Sequence, residues 1–261
     1  MITAGIDAGS RSTKVVLFDS AGSKVLATGL ADQGIDQNGL ASRLLDLACR
    51  DAGLLRGGVS CVVGTGYGRN ALRFADSTVT EITCHARGVH FLAPEARTVI
   101  EIGGQDSKCI SLEDGGRVRD FWMNDRCAAG SGRFLEIVAD RLGVPLSDLG
   151  ELGRASHAPA TISSMCVVFA ETEIIGLLAQ GVAPPDIAAG VQNAIASRVA
   201  ALIGRCVVEP VCFTGGVALQ QGMVRALAAA LACPIRTSPM PQYTGALGAA
   251  ILAATRAHPA L

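Results

Sequence analysis

The sequence predicts an α/β protein of two lobes, and three glycine-rich turns carry that prediction. A strand pattern around Ile6 runs through the polar turn Asp7-Ala8-Gly9-Ser10-Arg11-Ser12-Thr13-Lys14 into the apolar run Val15, Val16, Leu17 and Phe18, which ends at Asp19. The plan returns at Thr98-Val99-Ile100-Glu101-Ile102, the turn Gly103-Gly104-Gln105-Asp106-Ser107 and the strand Lys108-Cys109-Ile110-Ser111-Leu112. A third glycine pair, Gly215-Gly216, follows the apolar stretch Pro210 to Phe213 and precedes a helical pattern through Leu219, Met223, Leu227 and Leu231. A repeated hairpin implies two related halves that face each other.

The remaining helices are read from their ends. Leu40 to Ala52 stops at Gly53, and Ser131 caps a helix carrying Phe134, Leu135, Val138 and Leu142 before Gly143. Val167 to Gln180 stops at Gly181, Pro184-Pro185-Asp186 opens a helix ending near Gly204, and Gly245 to Ala257 is the last. No linker or low-complexity segment interrupts the chain. The boundary near residue 94 is therefore read as a lobe junction.

Composition narrows the function. The 261 residues hold 22 Lys and Arg against 23 Asp and Glu, which leaves no basic field for a phosphate backbone and argues against nucleic acid as a partner. Mean hydropathy is +0.39, yet it comes from scattered Ala, Val and Leu without a run of about 18 apolar residues, so no membrane span is expected. The start, MITAGIDAGS, has no basic and apolar leader pattern, and a cytoplasmic location is expected. Nine cysteines, an odd number spread over positions 49 to 233, do not read as a disulfide framework. From spacing alone most are small buried hydrophobes, with one or two left as candidate metal ligands.

The chemistry lies in the turns. Backbone N–H groups and Ser or Thr hydroxyls converge where a glycine-rich turn tightens, which suits a phosphate. A single Gly-Gly at such a turn serves tight packing more often than phosphate binding. Three of them, two following matching strands and two bearing an aspartate, favour phosphate. Asp7 and Asp106 facing each other across a phosphate-sized gap would orient a magnesium ion or a water. The Walker A spacing is absent, and His85, His90, His157 and His258 form no zinc pattern.

In this order the three turns resemble the ATPase domain shared by actin, heat-shock chaperones and sugar kinases. Six longer stretches carry a more specific resemblance: EITCHARG (81–88), IEIGGQDSK (100–108), NDRCAAGSGRFLE (124–136), SSMCVVFAETE (163–173), FTGGVALQQG (213–222) and SPMPQYTGALGAAI (238–251). Together they resemble the activators of 2-hydroxyacyl-CoA dehydratases, a family related to the ATPase subunits of benzoyl-CoA reductases. The resemblance spans essentially the whole chain.

That resemblance implies a two-lobed actin-like (ribonuclease H-like) ATPase fold. The first lobe is residues 1–93 with the last helix, 245–261, packed back on it, and the second is 94–244. It implies a homodimer holding one 4Fe-4S cluster at its two-fold axis through Cys127 and Cys166 of each subunit. The other seven cysteines are expected in the core. ATP or ADP with Mg²⁺ is expected on Gly9, Ser10, Ser12, Thr13 and Lys14 of the first turn and on Gly103, Gly104 and Gln105 of the second. Asp7 and Asp106 would orient metal and water, and Gly215 and Gly216 would approach the adenosine. Gly132, Arg133, Glu136 and Gln242 would line the nucleotide site. Glu101 stands where relatives commonly carry Asp, and Arg11 is left as a solvent or phosphate contact.

The implied activity is ATP-dependent one-electron reduction. A ferredoxin or flavodoxin is the expected donor, and a 2-hydroxyacyl-CoA dehydratase or a related acyl-CoA reductase the expected acceptor. Two alternatives belong to the same fold. A small-molecule kinase would need an added substrate-binding segment, for which 261 residues leave little room, and a non-redox ATP switch would hold no iron.

Overall fold

A computed structural model describes residues 1–125, 128–163, 166–204 and 206–257. Cys127, expected as a cluster ligand, lies outside the described residues. In chain order the elements are β1 (Ile2–Ala8), β2 (Ser12–Asp19), β3 (Lys24–Asp32), α1 (Gln37–Asp51), β4 (Val59–Thr65), β5 (Ser77–Thr78), α2 (Glu81–Leu92), β6 (Thr98–Ile102), β7 (Ser107–Leu112) and β8 (Val118–Asn124). They continue with α3 (Gly132–Leu142), α4 (Leu149–Arg154), α5 (Val167–Ala179), α6 (Pro184–Ile203), β9 (Val211–Thr214), α7 (Gln221–Leu231), β10 (Ile235–Thr237) and α8 (Thr244–Ala257).

Two five-stranded sheets result, ordered β3-β2-β1-β4-β5 and β8-β7-β6-β9-β10. The second repeats the first strand for strand. In each, an antiparallel hairpin (β1–β2, β6–β7) is extended by a parallel neighbour of its first strand (β4, β9). The central strands β1 and β6 are buried over nearly their whole length, as a strand flanked on both edges and covered on its faces must be.

The chain divides into two compact units, residues 1–96 with 112–119 and 238–261, and residues 97–111 with 120–237. In the first unit α8 lies on β1 so closely that a methyl group at Gly5 would meet the Ala246 carbonyl and the Ala250 nitrogen. Thr3 Oγ1 donates to the Ala250 carbonyl at 2.8 Å along the same seam. Gly88 of α2 and Gly248 of α8 allow the same approach between those helices, backbone against backbone. Beneath the sheet, α1 contributes Leu44, Leu45 and Ala48 to a core shared with Ile6, Val15 and Leu17. In the second unit one core gathers Ile100 and Ile102 of β6, Phe134 and Leu135 of α3, Ile174 of α5 and Phe213 of β9.

Most helix ends follow from local chemistry. Asp36 Oδ1 accepts from the Gly39 N–H at 2.8 Å, which moves the start of α1 three residues ahead of the expected Leu40. Ser131 does stand at the N-terminus of α3, but its hydroxyl donates to the Ala128 carbonyl at 2.7 Å and makes no cap. α7 begins at Gln221, because Gly216–Leu219 forms a 3₁₀ turn first and leaves Leu219 exposed. One of the cysteines expected in the core is not there: Cys206 is exposed, while Cys233 packs half-buried against the core of the second unit. Cys206 follows α6 outside any regular element, so no sheet or helix face buries it.

Candidate functional site

In the first unit the β1–β2 turn is closed by the Gly9 N–H donating to the Ser12 carbonyl at 3.1 Å. A methyl group at Gly9 would stand 2.9 Å from that carbonyl and 3.2 Å from Lys14 Nζ, so only glycine lets the chain turn here. Ser10 and Ser12 are half-buried along the turn, and Arg11 is exposed. Thr13 is fully buried, and its hydroxyl donates to Gln33 Oε1 at 2.9 Å. Gln33 Nε2 donates in turn to the Gly9 carbonyl at 2.8 Å. Gln33, just past the end of β3, thus ties down both arms of the turn. No sequence motif marks it, because its partners are 20 and 24 residues away.

Asp7 ends β1 directly opposite Lys14, with Lys14 Nζ 3.9 Å from Asp7 Oδ2. Lys14 also donates to the Ser12 carbonyl at 3.3 Å. The Asp7 carboxylate is 6% exposed and sits between two glycines. A side chain at Gly66, whose φ is +90°, would strike Asp7 Oδ1, and one at Gly245 would come within 3.1 Å of Asp7 Oδ2. His85 borders the same space: its ring nitrogen Nδ1 is 2.9 Å from Thr244 Oγ1, and its Nε2 would be 3.2 Å from a methyl group on Gly245. Gln242 is half-buried in the turn preceding α8.

In the second unit the Gly103 N–H donates to the Asp106 carbonyl at 3.0 Å and closes the β6–β7 turn. Glu101 and Lys108 are direct partners across the two strands. Lys108 is 2% exposed, and its ammonium donates to Glu101 Oε2 at 2.9 Å and to Asp106 Oδ2 at 2.7 Å. The other oxygens of both carboxylates flank Gly103, where a methyl group would find Asp106 Oδ1 at 2.8 Å and Glu101 Oε1 at 3.2 Å. The expected site omits Lys108 and leaves the part of Glu101 in magnesium coordination open; strand pairing is what brings the two together. Gln105 is exposed at the tip.

The third turn meets the second. Gly215 has φ +89°, and a methyl group there would collide with the Ile102 carbonyl and lie 2.7 Å from Glu101 Oε1. Gly216 is exposed, with nothing within 4 Å of the position a methyl group would take. The first amides of α3 close the arrangement: Gly132 N–H donates to the Gly103 carbonyl at 2.8 Å and Arg133 N–H to the Gly104 carbonyl at 2.9 Å. Gly132 and Arg133 therefore brace the turn through their backbone. The Arg133 side chain pairs with Glu136 at 2.9 Å on the exposed face of the helix.

Clustered carboxylate oxygens beside glycine-lined space suit a hard cation that keeps its waters, so the residues fit Mg²⁺ with a nucleotide phosphate. The iron-sulfur expectation meets half of its donor set. Cys166 is an exposed thiol at the N-terminal boundary of α5. Beside it Val168, Phe169 and Ile175 are 68%, 69% and 51% exposed. No group of three or more metal-ligating side chains occurs among the described residues. Among them, too, no helix is long and apolar enough to cross a membrane.

Comparisons with known proteins agree with this geometry. Residues 4–253 match the sequence profile of the BadF/BadG/BcrA/BcrD ATPase family. The activator of lactoyl-CoA dehydratase from Anaerotignum propionicum is 46% identical over 254 residues, covering 97% of each chain. The solved activator of 2-hydroxyisocaproyl-CoA dehydratase from Clostridium difficile with bound ADPNP superposes with a TM-score of 0.93 at 43% identity, over 98% of this chain and 96% of that one. A benzoyl-CoA reductase subunit of Thauera aromatica is 35% identical over 265 residues, covering 98% of this chain and 94% of its own. The fold extends to sugar kinases: a ROK hexokinase from Thermus thermophilus superposes with a TM-score of 0.56 at 17% identity.

Proposed function

The chain belongs to the BadF/BadG/BcrA/BcrD ATPase family, and from that premise we propose that it is an ATP-dependent one-electron reductase that activates a 2-hydroxyacyl-CoA dehydratase. The dehydratase activators at 43% and 46% identity support the acceptor class. The 35% identical benzoyl-CoA reductase subunit supports a second reading, in which the acceptor is an aromatic acyl-CoA reductase.

Within this reading the first turn takes the β- and γ-phosphates through Gly9, Ser10, Ser12, Thr13 and Lys14. Lys14 suits that work, since its contact with Asp7 at 3.9 Å leaves the ammonium able to turn to a phosphate oxygen. Asp7 and Asp106 orient Mg²⁺ and the attacking water, Gly103, Gly104 and Gln105 follow the phosphates from the second turn, and Gly215 and Gly216 approach the adenosine. Gly132, Arg133, Glu136 and Gln242 line the nucleotide site.

Cys127 and Cys166 of each of two subunits hold one 4Fe-4S cluster in a homodimer. When bound, such a cluster supplies a one-electron store whose potential depends on its surroundings. The observation that carries this part is Cys166: an exposed thiol at a helix N-terminus, beside apolar side chains that no part of the described chain covers. Two copies meeting there would bury Val168 and Phe169 and exclude water from the thiolates. The donor is a ferredoxin or flavodoxin, and the protein works in the cytoplasm. Raising an electron by roughly 300 mV requires about 7 kcal/mol, a scale that ATP hydrolysis matches.

Anaerobic purification tests the reading. The expected result is a brown dimer with about four iron atoms per pair, bleached by oxygen, and a colourless Cys166→Ala protein that still binds ADP. Wild type that takes up no iron on anaerobic reconstitution would overturn the redox half and leave an ATP switch.

A further inference from the structure

Both sheets place an acid and a lysine opposite each other one position from the turn, Asp7 with Lys14 and Glu101 with Lys108. The two pairs are not equivalent. Lys14 is 3.9 Å from its acid, with a side chain 15% exposed. Lys108 is sealed at 2% exposure and grips two carboxylates, at 2.9 and 2.7 Å. An ion pair that only stabilised the strands would be replaceable by apolar residues of similar volume, because desolvation offsets most of its attraction. Here the lysine does something apolar residues would not. It bonds one oxygen of each acid, and both of the remaining oxygens, Glu101 Oε1 and Asp106 Oδ1, flank Gly103.

We propose that Lys108 is a positioning residue for the magnesium ion of the nucleotide, acting through Glu101 and Asp106. Its cation offsets the repulsion between the two neighbouring carboxylates, and its two hydrogen bonds fix the direction in which their other oxygens point. With Lys108 charged, the trio carries a formal charge of −1. Lys14, by contrast, is the more loosely paired lysine of the duplicated pair. The proposal rests on the reading that these turns serve ATP.

The test is binding of Mn²⁺ to the ADP complex, followed by electron paramagnetic resonance, alongside ADP affinity in EDTA. Lys108→Met is expected to weaken Mn²⁺ binding about tenfold or more while ADP affinity without metal stays within about twofold. In ATP hydrolysis the Mg²⁺ requirement should rise by a similar factor. A folded Lys108→Met protein with wild-type Mn²⁺ affinity would overturn the proposal. Should that variant not fold, Lys108→Arg decides: it keeps the charge but moves the donors, and Mn²⁺ affinity should fall about threefold or more at an unchanged melting temperature. Unchanged affinity in that variant overturns the proposal equally. Wild-type protein that binds no ADP would be a different failure, that of the nucleotide reading itself.

Discussion

Lys108 Nζ lies 2.9 Å from Glu101 Oε2, its direct partner across the β6–β7 ladder, whereas the corresponding pair in the first sheet, Lys14 and Asp7, stands at 3.9 Å. The same pairing has been tightened in one unit and left loose in the other.

Lys14→Met should therefore change ligand binding far more than folding. A partly exposed ion pair at this separation contributes about 1 kcal/mol or less, so thermal unfolding should move little. The KM for ATP should rise about tenfold, the scale of one lost charge-assisted contact to phosphate. Steady-state ATPase assays and a melting curve on one preparation decide it. A large melting shift with an unchanged KM would refute the assignment.

Gln33→Ala removes the two hydrogen bonds that hold the first turn at Gly9 and Thr13. Each contributes about 1 kcal/mol. The variant should lose roughly 1–2 kcal/mol of stability to urea and should bind ATP several-fold more weakly, because a slack turn must be ordered on binding. Gln33→Glu keeps the acceptor for Thr13 and loses the donor to Gly9, so its effect should fall between.

Gly248→Ala should be among the most damaging single methyl additions in the first unit. The new carbon would collide with the Cys84 carbonyl, backbone atoms that cannot rotate away, and overpacking of this kind costs about 3 kcal/mol. Gly34→Ala is the control, since nothing lies within 4 Å of its added methyl. Chemical denaturation of the two variants should separate them clearly.

Thiol reactivity should divide the cysteines by burial. Burial pushes the Cys84 and Cys109 thiols up to about 12, so they should resist iodoacetamide at pH 8 until the protein unfolds. In protein stripped of its cluster the exposed Cys166 and Cys206 should be alkylated first, as peptide mass spectrometry would show. The raised pKa values also set an alkaline limit. Unfolded thiols ionise near pH 9.0 while the folded ones stay protonated to about 12, so stability is full below pH 9 and falls across that window. Urea midpoints at pH 8 and 10 should show the loss, and Cys84→Ala should lessen it.

Much of the fold was legible because it is punctuated by glycine. Gly9, Gly103 and Gly215 mark turns whose geometry excludes a side chain, and the hairpins around the first two were readable from their apolar runs. The ends of α5 and α6 followed from Gly181 and Gly204, both at positive φ. What stayed hidden was set by contacts distant in sequence. Gln33 gains its meaning only from Gly9 and Thr13, His85 only from Thr244, and Lys108 only once strand pairing puts it opposite Glu101. Cys206 misled in the other direction: next to Val207 and Val208 it reads as part of an apolar stretch, but it lies between α6 and β9 in no regular element and is exposed.

The seam between α8 and β1 orders events during synthesis. β1 is covered by a helix that follows it about 235 residues later, so the first sheet keeps a bare face until α8 has been made. The second unit, lying wholly inside residues 97–237, has all its parts before that helix emerges. Loss of α8 would uncover β1, and such a shortened product should be recovered as aggregate while residues 97–237 still resist protease.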